Sequence, residues 1–353
     1  MKRLIVCCDG TWEGLDNDWP TNVQRIAQFL LPSDQNGIAQ TLYYDPGIGM
    51  KNAVDRIAGG AFGAGLDLQI LEAYSFLSMN FEAGDEIYLF GFSRGAYSVR
   101  SLAGLIRCCG IVKRRKIRTI SRAMELYRDR EIKPDHDECV TFRNSNSILE
   151  DNAPPQICFL GCWDTVGALG IPDAIPMLPV DNRFDRKYEF HDTQLGSHIK
   201  NARHAVAIDE HRRVFDVTSM QQPDSSHDQK VLKERWFPGN HGGVGGGVRD
   251  LRQCSDGPLL WMMEEAKHFD LAFNESDVGK YTESDPLIDL PAKERRLFGL
   301  LGKSFDRHGP VRTMDVSPEA HHRWNEIESY NPKTLHRVYP PKGQKQQSTA
   351  SAH

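Results

Sequence analysis

Asp85-Glu-Ile-Tyr-Leu-Phe-Gly-Phe-Ser-Arg-Gly-Ala96 is the stretch on which the reading of the fold turns. Glu86 to Phe90 carries the aromatic and branched side chains of a buried strand, and Gly91-Phe-Ser-Arg-Gly95 follows at once. Beyond it Val99, Leu102, Ala103 and Ile106 recur at helical spacing, and Gly110 is a natural terminator. A Gly-x-Ser-x-Gly motif between a strand and a helix predicts a strained turn that pushes the Ser93 hydroxyl out of the sheet. Gly91 and Gly95 then let strand and helix approach closely. The Arg94 N–H opens the helix, where backbone and dipole together favour an oxyanion.

The flanking chain supplies a sheet for this turn. Arg3 to Cys8 is a continuous apolar run, suited to a strand buried on both faces, and it ends in Asp9-Gly10-Thr11. Thr21 caps a predicted helix to Leu31, Thr41 to Tyr44 reads as a strand, and Leu66 to Phe81 as a helix. This alternation points to a parallel, helix-covered α/β sheet. Downstream, Ser121 to Glu131 reads as a helix, and 112–154 as a whole is expected to be a cap or lid insertion. Gln156 to Trp163 is the next strand, 170–182 a proline-rich loop, and His198 to Ala207 a helix. Arg235 to Pro238 is a short strand, and a helix is expected to start at Pro258 and run to Lys267. The expected organisation is one domain over 1–338, with 270–338 as C-terminal decoration and 339–353 as a disordered tail.

Composition narrows the function classes. The 353 residues carry a formal net charge of −5, against the basic footprint of a nucleic-acid binder. The apolar start is too short for a signal peptide and no run reaches the length of a spanning helix, so synthesis in the cytoplasm is expected. Eight cysteines without a Cys-x-x-Cys pair read as buried thiols, and no metal or cofactor is expected. The basic run Lys113 to Arg118 reads as a solvated surface; its sharper alternative is peripheral contact with an anionic membrane.

Acyl transfer by serine needs a base to take the hydroxyl proton and an acid to hold that base in the right tautomer. Ser93 is followed by Asp164 at a strand's end and by His241 within Gly239-Asn-His-Gly-Gly-Val-Gly-Gly-Gly247, the order Ser, Asp, His. Asp164 also suits a turn or helix cap, and Asp209 is the rival acid; His204, His211 and His227 are rival bases. Asp9-Gly10-Thr11 resembles the opening of aspartate-based phosphatases, but Cys7 stands where their attacking aspartate would be. Gly10 or Thr11 is instead a candidate second oxyanion donor beside Arg94, with Asp9 otherwise capping a plain turn.

Six motifs in order resemble one family. They are Cys-Asp-Gly-Thr-Trp at 8–12, Thr-Asn-Val at 21–23, the 84–96 stretch, and Phe-Leu-Gly-Cys-Trp-Asp-Thr-Val-Gly at 159–167. Ala-Ile-Asp-Glu-His-Arg at 207–212 and Trp-Phe-Pro-Gly-Asn-His-Gly-Gly-Val-Gly-Gly-Gly at 236–247 complete the set. The chain is similar over about 1–270 to the catalytic domain of type VI secretion phospholipase effectors. That resemblance implies an α/β-hydrolase fold and a Ser93–Asp164–His241 triad acting on lipid esters, and it favours Asp164 over Asp209, which becomes a supporting residue. Gly242-Gly243 departs from the family's Ser-Asp after the histidine. The expected function is cleavage of lipid or phospholipid acyl esters. The alternatives are an esterase or thioesterase on small soluble substrates, or a binding protein on the same fold. A secretion-system or immunity partner is compatible with the resemblance and has no mark of its own in the sequence.

Overall fold

Six parallel strands form the frame: β1 (Arg3–Cys8), β2 (Gln40–Asp45), β3 (Glu86–Phe92), β6 (Phe159–Trp163), β7 (Ala202–Ala207) and β8 (Leu232–Phe237), with β4 (Ile111–Val112) and β5 (Ser147–Ile148) as a separate small hairpin. The structure is a computed structural model, and the residues described are 1–10, 18–47, 62–167, 194–222, 231–290 and 305–342. Thr11, the 170–182 loop and 343–353 lie outside them. The helices are α1 (Asn22–Phe29), α2 (Phe62–Asn80), α3 (Arg94–Cys109), α4 (Ile120–Arg128), α5 (Asp137–Asn146), α6 (His241–Gly245), α7 (Arg252–Lys267), α8 (Glu275–Tyr281) and α9 (Pro318–Glu326).

The sheet order is β2-β1-β3-β6-β7-β8. The chain moves outward from β1 to β2, returns to β3 on the other side of β1, and then proceeds outward strand by strand. The reversal leaves a crevice at the carboxyl ends of β1 and β3, the place where open α/β sheets put their sites. Side chains alternate across the sheet as the strand period requires. Leu4, Val6, Ile87, Leu89 and Leu160 pack under α2 and α3, whereas Ile5, Cys7, Tyr88, Phe90, Phe159 and Trp163 pack under α1 and α7. This is the α/β-hydrolase arrangement, with the Gly-x-Ser-x-Gly turn following the central β3.

Four expectations need correcting. His198 to Ala207 is not helical: Ala202–Ala207 is β7, buried along its whole length between β6 and β8. Its Ala-Arg-His-Ala-Val-Ala sequence has weak strand propensity, and pairing on both edges overrides it. The helix expected from Pro258 starts at Arg252, with Pro258 inside it. Residues 339–342, expected as the start of a disordered tail, are instead packed: Tyr339 lies on Trp324 at 5.1 Å between ring centroids and Lys342 Nζ donates to the Ile327 carbonyl at 2.7 Å.

Residues 112–154 were expected to form a cap or lid insertion. They lie instead on the flank of α3: Ile120, Ala123, Met124, Leu126, Cys139 and Phe142 join the α2–α3 side of the core. The Tyr127 ring fills the space over Gly104, where an added Cβ would meet it at 2.9 Å. Their hairpin closes at the end of α3 opposite Ser93, where Gly110 turns the chain with φ of 68°.

The C-terminal segment builds a third core. Val316, Ala320, Trp324 and Leu335 pack on Val206, Ile208 and Trp236 from β7, β8 and the turn after β7. Trp324→Ala is expected to lower unfolding free energy by about 3 kcal/mol, the usual cost of emptying a buried aromatic site. Urea denaturation of the two proteins checks this.

Candidate active site

The elbow is strained where the motif requires it. Ser93 has φ of 57° and ψ of −121°, caps the start of α3, and is tied to the sheet by its N–H donating to the Trp163 carbonyl at 3.0 Å. Its glycines are steric necessities. A Cβ on Gly91 would stand 2.5 Å from the Gly95 carbonyl oxygen, and one on Gly95 would stand 2.0 Å from that of Cys8. Asp164, at the end of β6, also has positive φ, 40°, and its N–H donates to Ala205 at 2.8 Å. Non-glycine residues in this region cost about 1–3 kcal/mol and persist where their surroundings hold them.

His241 begins the short helix α6, capped by Asn240, whose side chain accepts from the Gly243 N–H. Its ring lies between Phe92 and Phe215, at 4.5 and 4.7 Å between centroids. Gly245 makes that packing available, because a Cβ there would enter the Phe92 ring at 2.0 Å. From this seat His241 Nε2 lies 2.8 Å from Ser93 Oγ, and Nδ1 lies 2.6 Å from Asp164 Oδ2. All three side chains are buried. An ionised carboxylate only accepts, so Nδ1 carries the proton and Nε2 of the neutral ring accepts from the serine hydroxyl.

The electrostatics hold these states. Burial alone would raise the Asp164 carboxyl, but the charge of Arg307 and the bond from His241 outweigh it and keep it far below the usual carboxylate range. Burial lowers the His241 imidazole below its ordinary value, against the upward pull of Asp164 and Glu210, and Arg307 lowers it further. Arg307 is a residue that sequence reasoning missed. It donates from Nη1 to Asp164 Oδ1 at 2.6 Å and from Nη2 to Oδ2 at 3.0 Å, and also to the carbonyls of Ala207 and Phe215. It lies in a weakly periodic segment with no motif around it, so nothing in the sequence marks it.

The remaining candidates have other places. Asp209 is not joined to His241; its Oδ2 accepts from the Gly239 N–H at 2.7 Å and the Tyr330 hydroxyl at 2.9 Å, bracing the turn before the histidine. Glu210 accepts from the His241 backbone N–H at 3.1 Å and pairs with Arg212. His204 pairs with Glu234, His211 faces Asp306, and His227 lies outside the described residues. Gly10 stands against Ser93, an added Cβ being 3.2 Å from the serine Cβ. Its N–H, however, donates to Asp9 Oδ1 at 2.8 Å, so it is not turned toward an oxyanion. Asp9 also accepts from the Tyr44 hydroxyl at 2.9 Å and from Thr21. Among the described residues no cluster of His, Cys, Asp or Glu is arranged to hold a metal ion.

The family model for the catalytic domain of type VI secretion system (T6SS), Tle1-like phospholipase effectors matches residues 2–265. The chain belongs to this family. It is a family of lipid-ester hydrolase domains, and all six motifs fall within the matched span. The uncharacterized protein YEL023C of Saccharomyces cerevisiae is 29% identical over 239 residues, covering 61% of this chain and 32% of that protein. An uncharacterized protein from Pseudomonas aeruginosa, known from a crystal structure, gives a TM-score of 0.44 at 16% identity over 81% of this chain and 49% of that one. The Tle1 effector bound to the VgrG spike of the type 6 secretion system gives 0.38 at 17% identity over 69% and 50%. The chain thus spans half or less of the length of each of these relatives.

Asp9 supplies a pH test of the site's frame. Burial pushes its carboxyl up to about 6, against the bonds from Thr21, Gly10 and Tyr44. A carboxyl raised on folding gives its full contribution to stability below its unfolded pKa and loses it as pH rises through the folded value. Asp9→Asn, which lacks this titration, should therefore gain on the parent protein by up to about 3 kcal/mol between about pH 4 and about pH 7.5. Denaturation curves of both proteins across that range measure the difference.

Proposed function

We propose that this chain is a serine hydrolase of carboxylic esters, with lipid or phospholipid acyl esters as its substrate class. The observation that carries the reading is the unbroken relay Ser93 Oγ, His241 Nε2, His241 Nδ1, Asp164 Oδ2, with links of 2.8 and 2.6 Å. In the proposed mechanism Ser93 Oγ attacks the ester carbonyl while its proton passes to His241 Nε2. The tetrahedral oxyanion takes the Arg94 N–H at the start of α3, where the helix dipole adds to the donor. The imidazolium then returns its proton to the leaving alcohol, leaving an acyl group on Ser93. Water, deprotonated by the same nitrogen, attacks that acyl group and releases the carboxylate. Asp164 keeps the Nδ1–H tautomer and stabilises the imidazolium throughout.

Family membership supports the lipid part of the proposal. The basic run at 113–118 does not contribute to it: it lies beyond the far end of α3, about 24 Å of helix from Ser93, so a membrane held there would not face the serine. No described helix is long and apolar enough to cross a membrane. For a protein partner we propose a component of the secretion apparatus, a reading that rests on the family description alone.

Ser93→Ala is expected to lower kcat on phospholipid vesicles and on short acyl esters by about 10³-fold or more, and Asp164→Asn by about 10⁴-fold. Asp209→Asn should cost far less, because that side chain braces the histidine turn without entering the relay. Steady-state assays of the three variants decide it; full activity in Ser93→Ala would end the proposal.

A further inference from the structure

We infer that Arg307 is the positioning residue of the Ser93–His241–Asp164 relay, aiming the Asp164 carboxylate at His241 and setting the pH below which the relay stops. The inference rests on the reading of Ser93 as nucleophile. Its geometric basis is a fork: one terminal nitrogen on each carboxylate oxygen, at 2.6 and 3.0 Å. Two parallel bonds fix the carboxylate's rotation about Cβ–Cγ, which a single bond leaves open. The guanidinium is itself anchored, Nη1 to the Ala207 carbonyl at 2.9 Å and Nη2 to that of Phe215. Oδ1 is completed by the Ala207 N–H at 2.9 Å, which leaves Oδ2 to Arg307 and the imidazole.

The segment that delivers Arg307 is tied down beside the motif that braces His241. The Phe305 N–H donates to the His211 carbonyl at 3.2 Å, and Asp306 faces both His211 at 3.4 Å and Lys333 at 3.2 Å. Arg307 thus reaches the relay from beyond residue 265, where the family match ends. Residues 270–338, expected as decoration, contribute a contact at its centre.

The charge around His241 comes from several elements. Asp164 faces it from the end of β6 and Glu210 from the turn after β7, the latter paired with Arg212. Asp209 sits on the Gly239 turn with Tyr330, and Asp216 acts on Arg307 from nearby. Among the described residues, Arg307 is the cation in contact with the Asp164 carboxylate. Without it a lone buried carboxylate would draw a proton onto the imidazole, and the base would be lost at a higher pH. With it the Asp–Arg pair has no net charge, the imidazole stays neutral in more acid solution, and orientation rather than charge becomes the aspartate's main service.

The test is the pH profile of kcat/KM on a short-chain p-nitrophenyl ester, for the full chain and for Arg307→Met and Arg307→Lys. Arg307→Met is expected to move the acid limb up by about one pH unit or more and to lower kcat. Arg307→Lys should keep the limb near its original position while kcat stays reduced, because an ammonium cannot span both oxygens. An unmoved limb in Arg307→Met, or the same shift in both variants, overturns the inference. A Lys variant with undiminished kcat overturns it on its own, even if the Met variant fails to fold. Imidazole ¹⁵N titration of His241 in a Ser93→Ala background reads the same coupling without turnover. It separates a failure of the Arg307 inference from a failure of the serine reading, which would show as activity surviving in Ser93→Ala.

Discussion

A carboxylate is buried at the end of the sheet's fourth strand, and the site is arranged around keeping it charged. Isolated in a protein interior, Asp164 would take up a proton rather than bear the loss of water. It is held ionised by the Arg307 fork, the Ala207 N–H and the His241 ring, which come from the C-terminal segment, β7 and α6. Each contributor depends on a different part of the fold being in register. The β6–β7 ladder brings Ala207 level with the turn, the third core seats the C-terminal segment, and the capped α6 carries the histidine.

The serine side is governed by sterics. Ser93 holds a backbone conformation that the strand before it and the helix after it enforce, and glycines at 91 and 95 are what let those two elements meet. The aromatic rings of Phe92 and Phe215 then fix the imidazole's plane, so its two nitrogens reach opposite ends of the relay without adjustment. In the proposed mechanism, preorganisation of this kind would leave little to rearrange when charge develops in the transition state.

The described part of the first 110 residues was legible because its signals are local. A strand–Gly-x-Ser-x-Gly–helix run, a buried first strand and a capped α1 each fix their structure from neighbours in sequence. The glycine run at 239–247 marked His241 as one candidate among several histidines, and the resemblance singled it out. What was hidden depends on distant contacts. Ala202–Ala207 is a strand only because two neighbours pair with it. The 113–149 segment shows its polar residues in sequence, while the contacts that make it a flank of α3 appear only in three dimensions. Arg307 is one arginine among many until Asp164 is placed 143 residues earlier in the chain and beside it in space.

The central claim is that Ser93 is the nucleophile of this relay, and covalent labelling tests it most directly. The full chain would be treated with a fluorophosphonate, digested, and the modified peptide sequenced by mass spectrometry. The account predicts one adduct, on Ser93, formed far more slowly when His241 is replaced by Ala. An adduct on another residue, or none on a protein that hydrolyses esters, would contradict it.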